Sequence, residues 1–193
     1  MISRRQLLAN AASVGLLGPR AFAQSARTKV VATFSILGDF ARQVGGDRVE
    51  VATIVGPNGD VHAYNPSPAD SRKIAAAKLL IENGLHLEGW ISRLAGAAGA
   101  KARVVIAADG VSPRMDKSNA EFAEHGGVDP HAWQNVANAR IYVANIRDGL
   151  IAVDPAGADA YRAQAQAYTE KLDGLDAEVR AAIARIPADR RRI

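Results

Sequence analysis

Two histidines in proline-bounded loops are the residues of this chain best suited to chemistry. His62 lies in the loop at residues 56–68, and His131 directly follows Asp129 and Pro130. Neutral imidazole is the commonest side-chain ligand for zinc and a good ligand for its neighbours in the first transition series. His62 and His131 are therefore candidate metal ligands, with a histidine that only hydrogen-bonds in the core as the ordinary alternative at each position. Together they would supply two of the four ligands that a tetrahedral zinc site needs.

The carboxylates near these histidines leave two kinds of site open. Asp129 can orient His131 through a hydrogen bond, and Asp60 precedes His62 by two positions. A carboxylate acting as general acid or base beside a metal-bound water would make a zinc-dependent hydrolase. The sequence has no phosphate-binding glycine loop, nucleophile elbow or His-Glu-x-x-His motif, so catalysis has little direct support.

The remaining histidines and the lack of cysteine narrow the ligand set. His86 follows a predicted strand, where a local hydrogen bond near a helix start is expected. His125 lies beside two glycines in a stretch without predicted structure. Neither is predicted as a ligand. The chain has no cysteine, which excludes thiolate ligands and disulfides and leaves histidine and carboxylate.

Short β-branched runs alternate with helix-forming segments, which predicts an α/β fold. Strands are predicted at residues 29–34, 48–55, 78–82 and 103–107, with helices at 35–45, 68–77 and 88–98 between them. Right-handed connections at this spacing imply a four-stranded parallel sheet flanked by helices. Ligands of such sheets bind beyond the carboxyl ends of the strands, where we expect the loops of His62 and His131.

The rest of the chain is predicted to be helical after an irregular stretch at residues 109–130. One helix is expected at 135–153 and a longer one at 157–186, whose apolar residues recur at near-heptad spacing. That pattern is typical of a coiled coil or of a rigid strut packed along a domain. We favour the strut because the flanking charges do not form a coiled-coil code.

The first 23 residues predict an export signal. Arg4 and Arg5 precede a modestly apolar segment, and Ala21-Phe22-Ala23 has the small-x-small pattern of a cleavage site. The paired arginines also resemble a twin-arginine signal, so we predict a periplasmic protein. Removal of residues 1–23 takes away three arginines and no acid, which lowers the formal net charge from +4 to +1. This charge gives no reason to expect nucleic-acid binding.

Four segments carry motifs that occur together, in this order and spacing, in one protein family. They lie at residues 30–40, 62–70, 83–90 and 129–133, and they include His62-Ala63-Tyr64-Asn65-Pro66 and Asp129-Pro130-His131-Ala132-Trp133. Each segment alone is weak evidence, but the set is highly specific. The chain resembles the zinc/manganese family of periplasmic ABC-transporter solute-binding proteins, and the resemblance covers essentially all of the mature chain.

The resemblance implies two α/β lobes joined by a long helix, with a divalent metal ion held between them for delivery to an ABC-transporter membrane permease. The ion is Zn²⁺ or, alternatively, Mn²⁺, carried as transported ligand. His62 and His131 fall on the two ligands of the N-terminal lobe, and the third and fourth ligands would lie beyond residue 193. A protein of this family is not an enzyme, binds no nucleic acid and is a monomer when complete.

On this basis we expect four regions along the chain. They are a signal peptide at 1–23, an N-terminal metal-binding lobe at 24–154, a linking helix at 155–186 and the start of a truncated second lobe at 187–193. Two departures from the family are local: Gln134-Asn135-Val136 stands where Leu-Asp-Pro is common, and a His-rich loop is absent apart from His125. A truncated remnant without a transport role is the remaining alternative.

Overall fold

The computed structural model describes residues 26–115, 117–118, 120–123 and 126–191 of the chain. At its centre is a parallel sheet of four strands. The strands are β1 (Thr28–Phe34), β2 (Val49–Val55), β3 (Leu79–Glu82) and β4 (Arg103–Ile106), in the spatial order β2-β1-β3-β4. The central strands β1 and β3 are buried almost throughout. Both were predicted from continuous apolar runs, which are typical of strands covered on both faces.

Six α-helices follow or separate the strands in the described residues. They are α1 (Ser35–Gly45), α2 (Pro68–Ala76), α3 (Ile91–Ala97), α4 (Ala120–Ala123), α5 (Val136–Val153) and α6 (Ala158–Ala184). Helices α1, α5 and α6 pack against one another, and α2 packs against α3 and β1. The predicted fold class, a four-stranded parallel sheet with flanking helices and a long C-terminal helix, is confirmed. The predicted signal peptide and His125 lie outside the described residues.

The strand order reverses between β1 and β3. Strand β1 pairs with β2 on one side and with β3 on the other. The connection after β1 therefore runs toward one edge of the sheet, and the connection after β2 runs back across β1 toward the other edge. A crevice therefore opens beyond the carboxyl ends of β1 and β3, which is where ligands bind in open sheets of this kind. The loop that follows β2 and the segment that precedes α5 both reach this crevice.

Helix α3 begins three residues later than predicted. The expected helix at 88–98 starts only at Ile91, because the side chain of Glu88 turns inward and accepts backbone hydrogen bonds from Asn83 and Gly84. Leu85 and His86 both adopt left-handed backbone conformations in the intervening turn, with φ of 54° and 62°. Non-glycine residues seldom adopt such angles, so tertiary contacts hold this turn in place.

Helix α6 is packed over its first half and exposed over its second. Tyr161, Ala165 and Leu172 are buried against the domain, whereas the apolar side chains further along the helix are exposed. The exposed apolar residues of the helix are Leu175, Val179 and Ile183, and Ile186 just beyond its end is exposed as well. The packed half agrees with the strut favoured from the sequence. Among the described residues, no helix combines the length and apolarity that a membrane span requires.

Two glycines on the long helices provide a matched test of this packing. A Cβ at Gly149 of α5 would overlap Val105 of β4, whereas a Cβ at Gly174 of α6 would meet no atom within 4 Å. Gly149→Ala should lower the free energy of unfolding by about 1–3 kcal/mol through overpacking. Gly174→Ala should raise it by about 0.5–1 kcal/mol through helix propensity. Urea denaturation measures both, and equal effects of the two variants would contradict the close packing of α5 on the sheet.

Candidate metal centre

The two predicted ligands lie side by side although they are far apart in sequence. The Nε2 atoms of His62 and His131 are 3.0 Å apart. Two nitrogens at this separation, each about 2.0–2.1 Å from one ion, would subtend roughly 95° at that ion. Both rings line one cavity of about 300 Å³, together with Phe34, Leu87 and Trp133. The arrangement offers two convergent imidazole nitrogens at the crevice of the sheet.

Asp129 fixes the orientation of His131. Its Oδ1 atom accepts hydrogen bonds from the backbone N–H and from Nδ1 of His131, both at 2.9 Å. Because a carboxylate can only accept, Nδ1 carries the ring proton and Nε2 keeps its lone pair toward His62. The ring centroid of Trp133 lies 5.3 Å from that of His131 and forms an apolar wall beside it. A carboxylate behind the imidazole is the usual support of a metal-binding histidine.

The loop of His62 is held from both of its sides. Asp60 Oδ1 accepts a hydrogen bond of 2.8 Å from the backbone N–H of His62. The indole Nε1–H of Trp90 donates to the carbonyl oxygen of Val61 at 2.9 Å, and this bond is buried. The ring of Tyr64 packs on that of Trp90, with centroids 5.2 Å apart. The loop therefore has a defined shape at the residue that carries the imidazole.

A capping box at the start of α2 anchors the far end of the same loop. Ser67 Oγ accepts from the backbone N–H of Asp70, and the Asp70 carboxylate accepts from the backbone N–H and hydroxyl of Ser67. The hydroxyl of Tyr64 donates to the same carboxylate at 2.9 Å. Burial alone would raise the pKa of Asp70, but hydrogen bonds from Ser67, Lys73 and Tyr64 lower it to about 2. The Asp70 carboxylate is therefore ionised at neutral pH.

A buried polar cluster below the crevice was not predicted from the sequence. Glu88 Oε1 accepts from the hydroxyl of Thr33 at 2.6 Å and from the backbone N–H of Asn83 at 2.7 Å. Burial raises the pKa of Glu88 to about 7, even though these donors act in the opposite direction. The amide of Asn83 contacts Tyr142 and Pro130. The only local signal is a Glu at the predicted start of a helix, which predicts an exposed capping residue instead.

No third metal ligand joins the two histidines in the described part of the chain. No group of three or more histidine, cysteine, aspartate or glutamate side chains there could hold a metal ion. His86 lies at a different cavity, which it lines together with Glu82 and Glu88. The described part of the chain therefore brings two imidazole nitrogens together, with the groups that hold their loops.

Comparison with known proteins identifies the family. The model of the family described as zinc-uptake complex component A, periplasmic, matches residues 30–193. The chain belongs to this family. It is 39% identical over 163 residues to the iron-binding protein YfeA of Yersinia pestis, covering 84% of this chain and 51% of that protein. It is 38% identical to the manganese ABC transporter substrate-binding lipoprotein PsaA of Streptococcus pneumoniae, covering 91% and 58%.

A solved structure of the same kind shares the fold. The Mn-bound periplasmic metal-binding protein from Candidatus Liberibacter asiaticus superimposes with a TM-score of 0.76 at 32% identity. The match covers 86% of this chain and 60% of that one. The chain spans about half the length of the curated relatives that it matches. The resemblance inferred from the sequence motifs is therefore confirmed at the level of the family.

The anchor at Asp70 should make stability depend on pH. Its pKa is depressed from 3.8 to about 2 in the folded state, so the ionised carboxylate stabilises the fold above pH 4 and this contribution disappears as the pH falls toward 2. Asp70→Asn should lower the free energy of unfolding by about 2 kcal/mol at pH 7. The difference from wild type should narrow by about 1 kcal/mol between pH 5 and pH 3.

Urea denaturation across this pH range measures the difference directly. Asp47→Asn, at an exposed position, serves as the control for loss of one negative charge. A difference between Asp70→Asn and wild type that stays constant from pH 7 to pH 3 would show that the capping box does not depend on the ionised carboxylate.

Proposed function

We propose that this chain is the metal-capturing part of a periplasmic solute-binding protein that supplies a divalent transition-metal ion to an ABC-type importer. The observation that carries the proposal is the 3.0 Å separation of the Nε2 atoms of His62 and His131 at the crevice of the sheet. Asp129 supports one of these imidazoles in the tautomer that a metal requires. Membership of the zinc-uptake family supports the same function.

The ion we propose is Zn²⁺, with Mn²⁺ as the alternative cargo. Relatives are named for iron and for manganese, and the family is named for zinc, so related proteins span these ions. An imidazole pair binds Zn²⁺ more tightly than Mn²⁺ by the Irving–Williams order. Additional carboxylate ligands would favour Mn²⁺, whereas additional imidazole would favour Zn²⁺.

We further propose the surroundings in which the chain works. A membrane permease is the partner that receives the ion, and export under the signal at residues 1–23 places the protein in the periplasm. Residues 24–154 would form the metal-binding lobe, and α6 would connect it to a second lobe. The exposed apolar residues on the second half of α6 suit a helix that other structure covers.

A hydrolase gains no support from the described site. It would need a carboxylate free to move a proton near a metal-bound water. Asp129 Oδ1 is occupied by two hydrogen bonds from His131, and Asp60 Oδ1 accepts the backbone N–H of His62. Both carboxylates therefore position the histidine loops. A binding protein, in which the residues hold an ion without transforming a substrate, fits these roles better.

Calorimetric titration of the 193-residue chain tests the proposal. We expect one Zn²⁺ ion to bind weakly, and more tightly than Mn²⁺, because two imidazoles leave the remaining positions to water. His62→Ala and His131→Ala should each abolish measurable binding. Asp47→Asn, at an exposed position before the start of β2, is the control and should bind as wild type. Unchanged binding by both ligand variants would overturn the site, and a nanomolar Kd would contradict a two-ligand centre.

The support of His131 generates a separate prediction. Asp129→Ala removes the acceptor that keeps the ring proton on Nδ1, so the Nε2-protonated tautomer should become populated. Zn²⁺ affinity should fall by about 10-fold to 100-fold, the usual effect of losing such a support. Nitrogen-15 NMR of the histidine rings in the metal-free chain reports the tautomer, and calorimetry reports the affinity. A loss of affinity with an unchanged tautomer would assign Asp129 a role other than orientation.

A further inference from the structure

One short segment hydrogen-bonds to both histidine loops. This clamp segment, residues 83–90, begins at the end of β3 and ends before α3. At its first residue, Asn83 Nδ2 donates to the carbonyl oxygen of Pro130 at 3.0 Å. At its last residue, Trp90 Nε1 donates to the carbonyl oxygen of Val61 at 2.9 Å. Each acceptor is the carbonyl of the residue immediately before a proposed metal ligand, so each bond acts one peptide unit away from an imidazole.

The clamp segment is itself closed into a rigid turn. The Glu88 carboxylate accepts hydrogen bonds from the backbone N–H groups of Asn83 and Gly84, at 2.7 Å and 3.3 Å. The hydroxyl of Thr33, on β1, donates to the same carboxylate at 2.6 Å. Asn83 is fully buried, and Trp90 is 4% exposed. The two ends of the segment are therefore held at a fixed distance from each other and from the sheet.

Helix α5 supplies the partner that holds the oxygen of the Asn83 amide. The hydroxyl of Tyr142 donates to Asn83 Oδ1 at 2.7 Å, and both side chains are fully buried. The carbonyls of Gly84 and Pro130 can only accept, so the amide NH₂ group faces them and Oδ1 faces the hydroxyl of Tyr142. Reversal of the amide would bring its NH₂ group against the hydroxyl of Tyr142 and leave the buried carbonyl of Pro130 without this donor.

We propose that the clamp segment sets the separation of the His62 and His131 Nε2 atoms, with Asn83 and Trp90 as positioning residues for the metal. This inference rests on the proposed metal-binding function. Neither residue touches the ion. Each holds one histidine loop, and the rigid turn between them relates the two loops to each other. The pair of imidazoles is consequently preorganised before an ion arrives, and the ion does not have to gather them.

Two conservative variants weaken the clamp, and a third serves as control. Trp90→Phe removes the indole donor to Val61 and keeps an aromatic ring. Tyr142→Phe removes only the hydroxyl that holds Asn83 Oδ1. Tyr161→Phe is the matched control, because it removes a buried hydroxyl that donates to Asp154 at 2.6 Å, on a helix remote from both histidine loops. All three variants should lower Tm, so Tm alone does not separate a positioning role from a structural one.

Titration with Co²⁺, followed by its visible ligand-field absorption, separates these roles. Trp90→Phe should lower Co²⁺ affinity by about tenfold and alter the shape of the absorption band, because the two nitrogens no longer hold one geometry. Tyr142→Phe should also lower Co²⁺ affinity and alter the absorption band, but both changes should be smaller. Tyr161→Phe should match wild type in affinity and band. If both clamp variants bind Co²⁺ with wild-type affinity and band, the clamp is overturned while the proposed function stands.

Amide hydrogen exchange of the metal-free chain provides a readout that is independent of binding. Trp90→Phe should speed exchange at the backbone N–H of His62, and Tyr142→Phe should do so at that of His131, with Tyr161→Phe changing neither. Wild-type exchange rates at both amides in the clamp variants would overturn the inference. If wild-type protein binds no Co²⁺, the proposed function fails, and the exchange rates alone then decide whether the clamp segment positions the two loops.

Discussion

A buried carboxylate costs several kcal/mol unless hydrogen bonds replace its water, and Glu88 meets this constraint at the centre of the molecule. Its donors are the hydroxyl of Thr33 on β1 and the backbone N–H groups that follow β3. These bonds join the ends of two neighbouring strands at the point where the strand order reverses. The turn that carries Asn83 and Trp90 takes its shape from this carboxylate, so both histidine loops depend on it indirectly.

The strands and most helices could be predicted because their signals are local. Continuous apolar runs mark the buried strands β1 and β3, and Ser67 with Pro68 marks the start of α2. The start of α3 was predicted wrongly because a glutamate near a helix start ordinarily faces solvent. Glu88 instead pairs with Thr33, which lies 55 residues earlier in the chain. A partner that distant leaves no periodic trace in the sequence around residue 88.

The contrast between local signals and distant partners also separates the histidines of the candidate site from the residues that hold them. Residue type and loop context made His62 and His131 candidates, and the family motifs around them made them predicted ligands. Asp129 is only two residues from the imidazole that it orients. The bonds from Trp90 to Val61 and from Asn83 to Pro130 join positions 29 and 47 residues apart. Tryptophan and asparagine have many ordinary uses in a core, so their roles follow only from the tertiary contacts.

Preorganisation of two ligands has opposite consequences for affinity and for selectivity. Because hydrogen bonds already hold the imidazoles 3.0 Å apart, an ion loses little free energy in ordering them. A fixed pair of nitrogens also binds every first-row divalent ion in the general order of imidazole affinity, so the pair alone cannot favour Mn²⁺ over Zn²⁺. Discrimination must come from the number and type of the other ligands. In the proposed site, the two imidazoles would thus be a rigid half of a coordination sphere, and the choice of ion would belong to the groups that complete it.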